Sequence, residues 1–131
     1  MEASKKPLGA KLGIKAGQRV AVLHPPKSYK LSGLPARVEL KNRLTGGAFD
    51  LVQAFYEKER VFRSELGDLR KSILASGSVW VCWKKGGVTD LDRDSIAALA
   101  LKAGLEGVAT CAVSDEWSAL RLMLPAAKRK A

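Results

Sequence analysis

The single histidine, His24, stands in the run His24-Pro25-Pro26-Lys27-Ser28-Tyr29. A histidine base needs a nucleophile to activate, and the chain has no G-x-S-x-G elbow to present a serine on a strand-to-helix turn. The two cysteines, Cys82 and Cys111, lie inside apolar runs, where a free thiol behaves as a small buried hydrophobe; both are expected to be reduced and inert. With one histidine they are too few for a structural zinc site or a disulfide scaffold. Asp90, Asp92 and Asp94 open like a calcium loop, but its sixth position is Ser95 rather than glycine and its twelfth is Leu101 rather than glutamate. Triad and metal chemistry are therefore set aside, and the residues call for no cofactor.

What remains is a scattered set of cations, carboxylates and aromatics that become a site only if the fold gathers them. The elements between them decide this. Arg19-Val20-Ala21-Val22-Leu23 is a compact apolar run between Gly17 and His24-Pro25-Pro26, the pattern of a buried strand. Leu8, Leu12 and Ile14 before it suit a turn or two of helix. Arg37-Val38-Glu39-Leu40 reads as a weak, short strand, and Phe49 to Tyr56, after the Gly46-Gly47 turn, as a stronger one.

Residues 58–75 form a helical pattern, because Phe62, Leu66, Leu69 and Ile73 recur at helical spacing while Glu59 and Arg63 can pair on the solvent side. Ser76-Gly77 is expected to stop that helix. Val79-Trp80-Val81-Cys82-Trp83 reads as a strand apolar on both faces, as in a sheet covered on both sides. Thr89, with Asp92 three residues on, is expected to open a second helix whose buried side holds Ile96, Leu99, Ala100 and Ala103 and which Gly104 ends. Gly107–Val113 and Trp117–Leu124, separated by Ser114-Asp115-Glu116, suit a β-hairpin.

Strands alternating with helices predict a single-domain, Rossmann-like α/β fold over residues 8–125. Its three layers would be built on a mostly parallel sheet of five to six strands with a C-terminal β-hairpin. Residues 1–7 and the basic segment 126–131 are expected to be disordered. In an open parallel sheet the ligand crevice lies beyond the carboxyl ends of the strands. That edge would collect His24, Lys27 and Tyr29 after the first strand, and Tyr56 after the third. Lys84, Lys85, Thr89, Asp90 and Arg93 would follow the fourth, with Asp115 and Trp117 at the hairpin. Each also has a structural reading: Thr89 and Asp92 as caps, Asp90 and Arg93 as a first-turn pair, Trp117 as core, Lys84 and Lys85 as solvated loop.

The chain has 131 residues, 47% hydrophobic and 27% charged, the balance of one globular domain with room for a core. It shows no apolar stretch of about 20 residues and no hydrophobic leader in Met1–Leu8, so a cytoplasmic location without membrane contact is expected. The formal charge is +10 and unevenly spread: residues 1–48 carry ten bases against two acids, while residues 49–127 are close to neutral. Such asymmetry suits a polyanion partner. The basic third holds only Tyr29 as an aromatic, however, and lacks the interleaved rings with which single-strand binders stack bases.

The stretches Leu12-Gly13-Ile14-Lys15-Ala16-Gly17-Gln18-Arg19-Val20, Phe49-Asp50-Leu51-Val52 and Leu74-Ala75-Ser76-Gly77-Ser78-Val79-Trp80-Val81 resemble the strand framework of S-adenosylmethionine-dependent methyltransferases. The final hairpin is similar to their reversed last strand. Nearly the whole chain resembles a family of small bacterial proteins known only as a domain of unknown function. That likeness includes Thr89-Asp90-Leu91-Asp92-Arg93-Asp94 and Asp115-Glu116-Trp117-Ser118-Ala119-Leu120, and it implies no activity. The chain departs from the methyltransferase pattern after its first strand, where a glycine-rich turn would let backbone N–H groups face the cofactor. Pro25 and Pro26 remove two donors there, so the usual pocket is absent or rebuilt. The connection from Leu40 to Phe49 is also shorter than the dozen or so residues a parallel crossover generally takes, so either a strand and a helix are missing or the second strand is not parallel.

The first expectation for function is a non-enzymatic module that binds an anionic small molecule or a partner protein at the strand-end edge. A nucleic-acid binder acting through the N-terminal cations and a degenerate methyltransferase are the alternatives.

Overall fold

The computed structural model describes residues 7–27, 29, 31–87 and 89–128. Six strands form one sheet: β1 (Arg19–Leu23), β2 (Glu39–Lys41), β3 (Phe49–Phe55), β4 (Ile73–Lys84), β5 (Glu106–Ala112) and β6 (Trp117–Met123). Their order is β2-β1-β3-β4-β6-β5. The first four run parallel, and β6 lies antiparallel between β4 and β5. The helices are α1 (Leu8–Leu12), α2 (Glu59–Ser72) and α3 (Arg93–Lys102). This is the expected single-domain, mostly parallel, Rossmann-like α/β fold, hairpin included.

Both sheet faces are covered, but differently. Alternation along the strands sends Ala21, Leu23, Val52, Ala54, Val79 and Val81 to one face, where Phe62, Leu66 and Leu69 of α2 and Ile96 and Ala100 of α3 pack. Val20, Val22, Leu51, Phe55, Trp80 and Cys82 face the other way. Leu12 of α1 and Ile14 cover them, together with Tyr29, Leu31, Leu34 and Val38 from the connection between β1 and β2. The third layer is thus mostly irregular chain, with α1 packed so closely that a Cβ on Gly9 would lie 2.8 Å from the Gly33 carbonyl oxygen. Trp80 Nε1 donates to the Leu12 carbonyl at 2.9 Å and ties this layer to the sheet.

The second strand proves parallel to β1, and no helix follows it. The chain returns to β3 through residues 42–48 alone. So short a crossover suffices because β2 is only three residues long and starts β3 one strand away on the far side of β1. It crosses β1 on the helical face, where Leu44 packs against the core. Arg19 pins it: Nε donates to the Gly47 carbonyl at 2.9 Å, Nη2 to the Thr45 carbonyl at 3.0 Å, and Nη1 pairs with Glu39. The guanidinium lies 4.5 Å from the Phe49 ring centre.

Two local expectations need correction. Ser76-Gly77 does not stop α2. The helix ends at Ser72 and the chain enters β4 at once, with Ser76 and Gly77 inside that strand. Phe49 pairs with Ile73 but Leu51 with Ser78, so the extra residues of β4 bulge against Asp50. Glycine is needed there because a Cβ on Gly77 would sit 2.8 Å from the Phe49 carbonyl oxygen. Likewise α3 starts at Arg93 rather than Thr89. Asp92 is its N-cap, with Oδ1 accepting from Ser95 N–H at 2.8 Å and Ser95 Oγ accepting from Asp92 N–H at 3.1 Å. Thr89 Oγ1 instead accepts from Leu91 N–H at 3.4 Å.

A 3-10 turn at Ala126–Lys128 follows β6. The rest of the ends expected to be disordered, residues 1–6 and 129–131, lies outside the described residues. Among the described residues no helix is long and apolar enough to cross a membrane.

Candidate functional site

At the carboxyl ends of β1, β3 and β4 lies a groove of about 620 Å³. Its floor is apolar and aromatic: Phe55, Tyr56, Val61 and Trp117, with Pro25 and Pro26 at one side. His24, Lys27, Lys58 and Lys84 bring basic groups to it, against the carboxylates of Glu57 and Glu116.

The local chain explains each placement. His24 leaves β1 with a left-handed backbone, φ 54°, unusual for a residue with a Cβ, and so turns sharply into Pro25. Its Nε2 lies 2.9 and 3.1 Å from the two carboxylate oxygens of Glu65 on α2. Tyr56, held at the end of β3 by its N–H to the Cys82 carbonyl at 3.0 Å, donates its hydroxyl to the same carboxylate at 2.5 Å. The His24 and Tyr56 rings meet edge-on at 5.4 Å. Burial, reinforced by the Glu65 carboxylate, pushes the Tyr56 phenol far above its ordinary range, so it stays protonated and keeps donating. Lys84 pairs with Glu57 at 3.7 Å and lies 5.7 Å from the Trp117 ring centre. Lys27 and Lys58 have no ion-pair partner among the described residues. The first turn of α2 forms part of the wall through Lys58 and Val61, and a helix N-terminus carries positive potential.

Five of the residues expected at this edge, His24, Lys27, Tyr56, Lys84 and Trp117, line the groove together. Tyr29 turns inward instead. Its hydroxyl donates to Oε1 of the fully buried Gln53 at 2.5 Å, and its ring meets Phe55 at 4.8 Å. Burial drives its phenol strongly upward, partly opposed by the Gln53 bond. Asp90 Oδ1 accepts from Glu59 N–H at 2.8 Å and so caps α2. Arg93 pairs with Asp94 at 3.1 Å rather than with Asp90 and borders a separate groove beside Cys111. Lys85 is exposed and donates its backbone N–H to the Glu116 carbonyl at 2.9 Å; Asp115 is exposed in the hairpin turn, and Thr89 lies off the groove. Cys82 is buried and Cys111 partly so, and burial raises both thiols.

Sequence reasoning missed Glu57, Lys58, Val61, Glu116 and above all Glu65. One sign of Glu65 was available: it lies three residues after Phe62 and next to Leu66, on the margin of the apolar stripe, where a side chain reaches the sheet end.

No family model matches the chain, and no curated protein matches it in sequence. Solved structures match it in fold. A TehB-like SAM-dependent methyltransferase from Corynebacterium glutamicum, 11% identical, aligns over 88% of this chain and 85% of its own with a TM-score of 0.61. A SAM-dependent methyltransferase from Aquifex aeolicus, 10% identical, aligns over 88% and 87% with a TM-score of 0.62. The glycopeptide N-methyltransferase MtfA, 10% identical, aligns over 89% and 90% with a TM-score of 0.58. The chain has a methyltransferase-like Rossmann framework.

The residues at the strand ends do not fit S-adenosylmethionine. A dinucleotide or nucleoside cofactor in such a fold rests on a glycine-rich turn opening a helix, with an acidic side chain beyond the second strand for the ribose hydroxyls. Here Pro25 and Pro26 follow β1, and no helix lies between β1 and β2 among the described residues. β2 ends on Lys41; Asn42 and Arg43 follow it, and the strand's own carboxylate, Glu39, is paired with Arg19 and Lys41. The cofactor's sulfonium is itself cationic, and basic residues border both this end and the groove.

Proposed function

We propose that this chain is a non-enzymatic binding module that holds an anionic small molecule in the groove at the carboxyl ends of β1, β3 and β4. The observation that carries the reading is the pairing of an apolar, proline-lined floor with Lys27 and Lys58, two cations with no ion-pair partner among the described residues. A ligand with an apolar body and a terminal carboxylate or phosphate would rest the body on Pro25, Pro26 and Val61, above the nearly buried rings of Phe55, Tyr56 and Trp117, and place its charge between the two lysines. His24, steadied by Glu65, adds a third polar group. Its Nε2 is already committed to that carboxylate, which suits orientation rather than proton transfer to a substrate.

Thermal unfolding with inorganic pyrophosphate, adenosine triphosphate, S-adenosylmethionine and S-adenosylhomocysteine tests the reading. A ligand present at about 100 times its Kd stabilises by about 2.7 kcal/mol. The phosphate probes are expected to raise Tm saturably, and the Lys27→Ala/Lys58→Ala variant to lose the shift. Stabilisation by S-adenosylmethionine alone would favour the degenerate methyltransferase, which the fold likeness supports. Duplex DNA is the control for charge: affinity that falls steeply with salt, and survives the lysine substitutions, would favour the polyanion reading.

A further inference from the structure

The two long helices differ on their outer faces. The solvent side of α2 carries Arg60, Arg63, Asp68, Arg70 and Lys71. Between Asp94 and Lys102, α3 has no charged residue at all; Ala98 is exposed and Leu101 is 70% exposed. Beside it runs β5, which closes the sheet on that side and has neither charge nor proline from Gly107 to Ala112. Val108, at the register slip, is 42% exposed. Natural edge strands usually carry lysine, proline, a bulge or a cover of chain; β5 has the irregularity at Val108 but no lysine or proline. Here Lys11 Nζ reaches the Ala112 carbonyl at 3.5 Å, at the end of the strand only. In a protein of net charge +10, an edge without charge from Gly107 to Ala112, continuous with an uncharged helix flank, is a surface suited to association.

We propose that β5 pairs antiparallel with β5 of a second copy of this chain across a two-fold axis near Ala109, joining the sheets and packing the two α3 helices together. Geometry favours a second copy over another occupant. α3 packs against both β5 and β6 and so sits over the seam between them. With strands about 4.8 Å apart, an axis between the two β5 strands leaves each helix about 4.8 Å from it. The helices then run about 9.6 Å apart, within the roughly 8–10 Å at which helices pack.

The charges also match. α3 turns into β5 through Ala103–Leu105, so helix and strand run in opposite directions, and Arg93 stands beside Thr110 and Ala112. A two-fold axis near the middle of both therefore sets Asp94 of one copy against Lys102 of the other, with Ala98 and Leu101 in the dry centre.

Sedimentation equilibrium of the full chain is expected to give twice the 14.1 kDa monomer mass at micromolar concentration. Leu101→Glu should give the monomer mass with an unchanged circular dichroism spectrum. Asp94→Lys should weaken association at least about tenfold, the effect of about 1.4 kcal/mol. Asp94→Lys/Lys102→Asp should recover most of it, which an unrelated dimer would not do. Amide exchange across Gly107–Cys111 in the unaltered chain should slow as protein concentration rises. A monomeric unaltered chain, a Leu101→Glu dimer, a charge reversal without recovery, or exchange independent of concentration would each overturn the proposal.

Discussion

Replacing Tyr29 by Phe removes one oxygen from a position that holds the irregular third layer to the sheet. The ring can keep its edge contact with Phe55 at 4.8 Å, so little packing is lost. What is lost is the donor to Gln53 Oε1, an oxygen on a side chain with no solvent exposure. A buried acceptor stripped of its partner costs about 1–3 kcal/mol. For a domain of this size that lowers Tm by about 4 °C per kcal/mol, or about 4–12 °C.

The double variant Tyr29→Phe/Gln53→Leu removes the stranded amide as well, and replacing both partners by apolar groups can be nearly neutral or even stabilising. Its cost should therefore fall short of the sum of the two single variants by about 0.5–3 kcal/mol. Urea unfolding followed through the fluorescence of Trp80, Trp83 and Trp117 gives all three values. A cost for Tyr29→Phe below about 0.5 kcal/mol, the range of ordinary surface changes, would refute the reasoning, and so would strict additivity.

Gly77→Ala should destabilise by about 1–3 kcal/mol as an overpacked position, because the new methyl group meets the Phe49 and Asp50 carbonyl oxygens at 2.8 and 3.1 Å. Gly67→Ala, with nothing within 4 Å of its Cβ, is the control in the same unfolding assay and should be neutral or slightly stabilising. Stability should also fall in alkali. The Tyr29 and Tyr56 phenols are both raised above the ordinary value of 10.0, so their contribution is fully present below about that pH and is lost as pH climbs above it. Urea midpoints measured from pH 8 to 11 should show a shallower decline in Tyr56→Phe than in the unaltered chain; equal slopes would count against the burial of that phenol.

Much of the frame was legible because it follows from periodicity. The run Arg19–Leu23 matched β1 residue for residue, and the stripe Phe62, Leu66, Leu69 identified both α2 and its buried face. Boundaries failed where a tertiary contact overruled a local signal or where a better local signal stood a few residues on. Ser76-Gly77 looks like a helix stop in sequence, but glycine is there because strand backbones approach closely. Thr89 looks like a cap because threonine caps helices, while Asp92 does the capping. The strand-end edge was legible in outline, since topology alone sends His24, Tyr56 and Lys84 to one end of a parallel sheet. The inward turn of Tyr29 was not, because a loop that replaces a helix has no period to read. Nor was Asp90 as the cap of α2: the bond joins residues 31 apart in sequence.

The sheet order has a consequence for synthesis on the ribosome. β1 finds its neighbours β2 and β3 soon after it emerges, and β4 docks on β3 directly after α2. The other edge of β4, along Val79-Trp80-Val81-Cys82-Trp83, pairs only with β6, which is made after α3 and β5. A nascent chain therefore carries its most apolar strand with one side bare until Trp117–Met123 has left the exit tunnel. β5, although made first, has no place in the sheet before then. Stalled or truncated products ending before β6 should be the ones that chaperones hold and proteases clear.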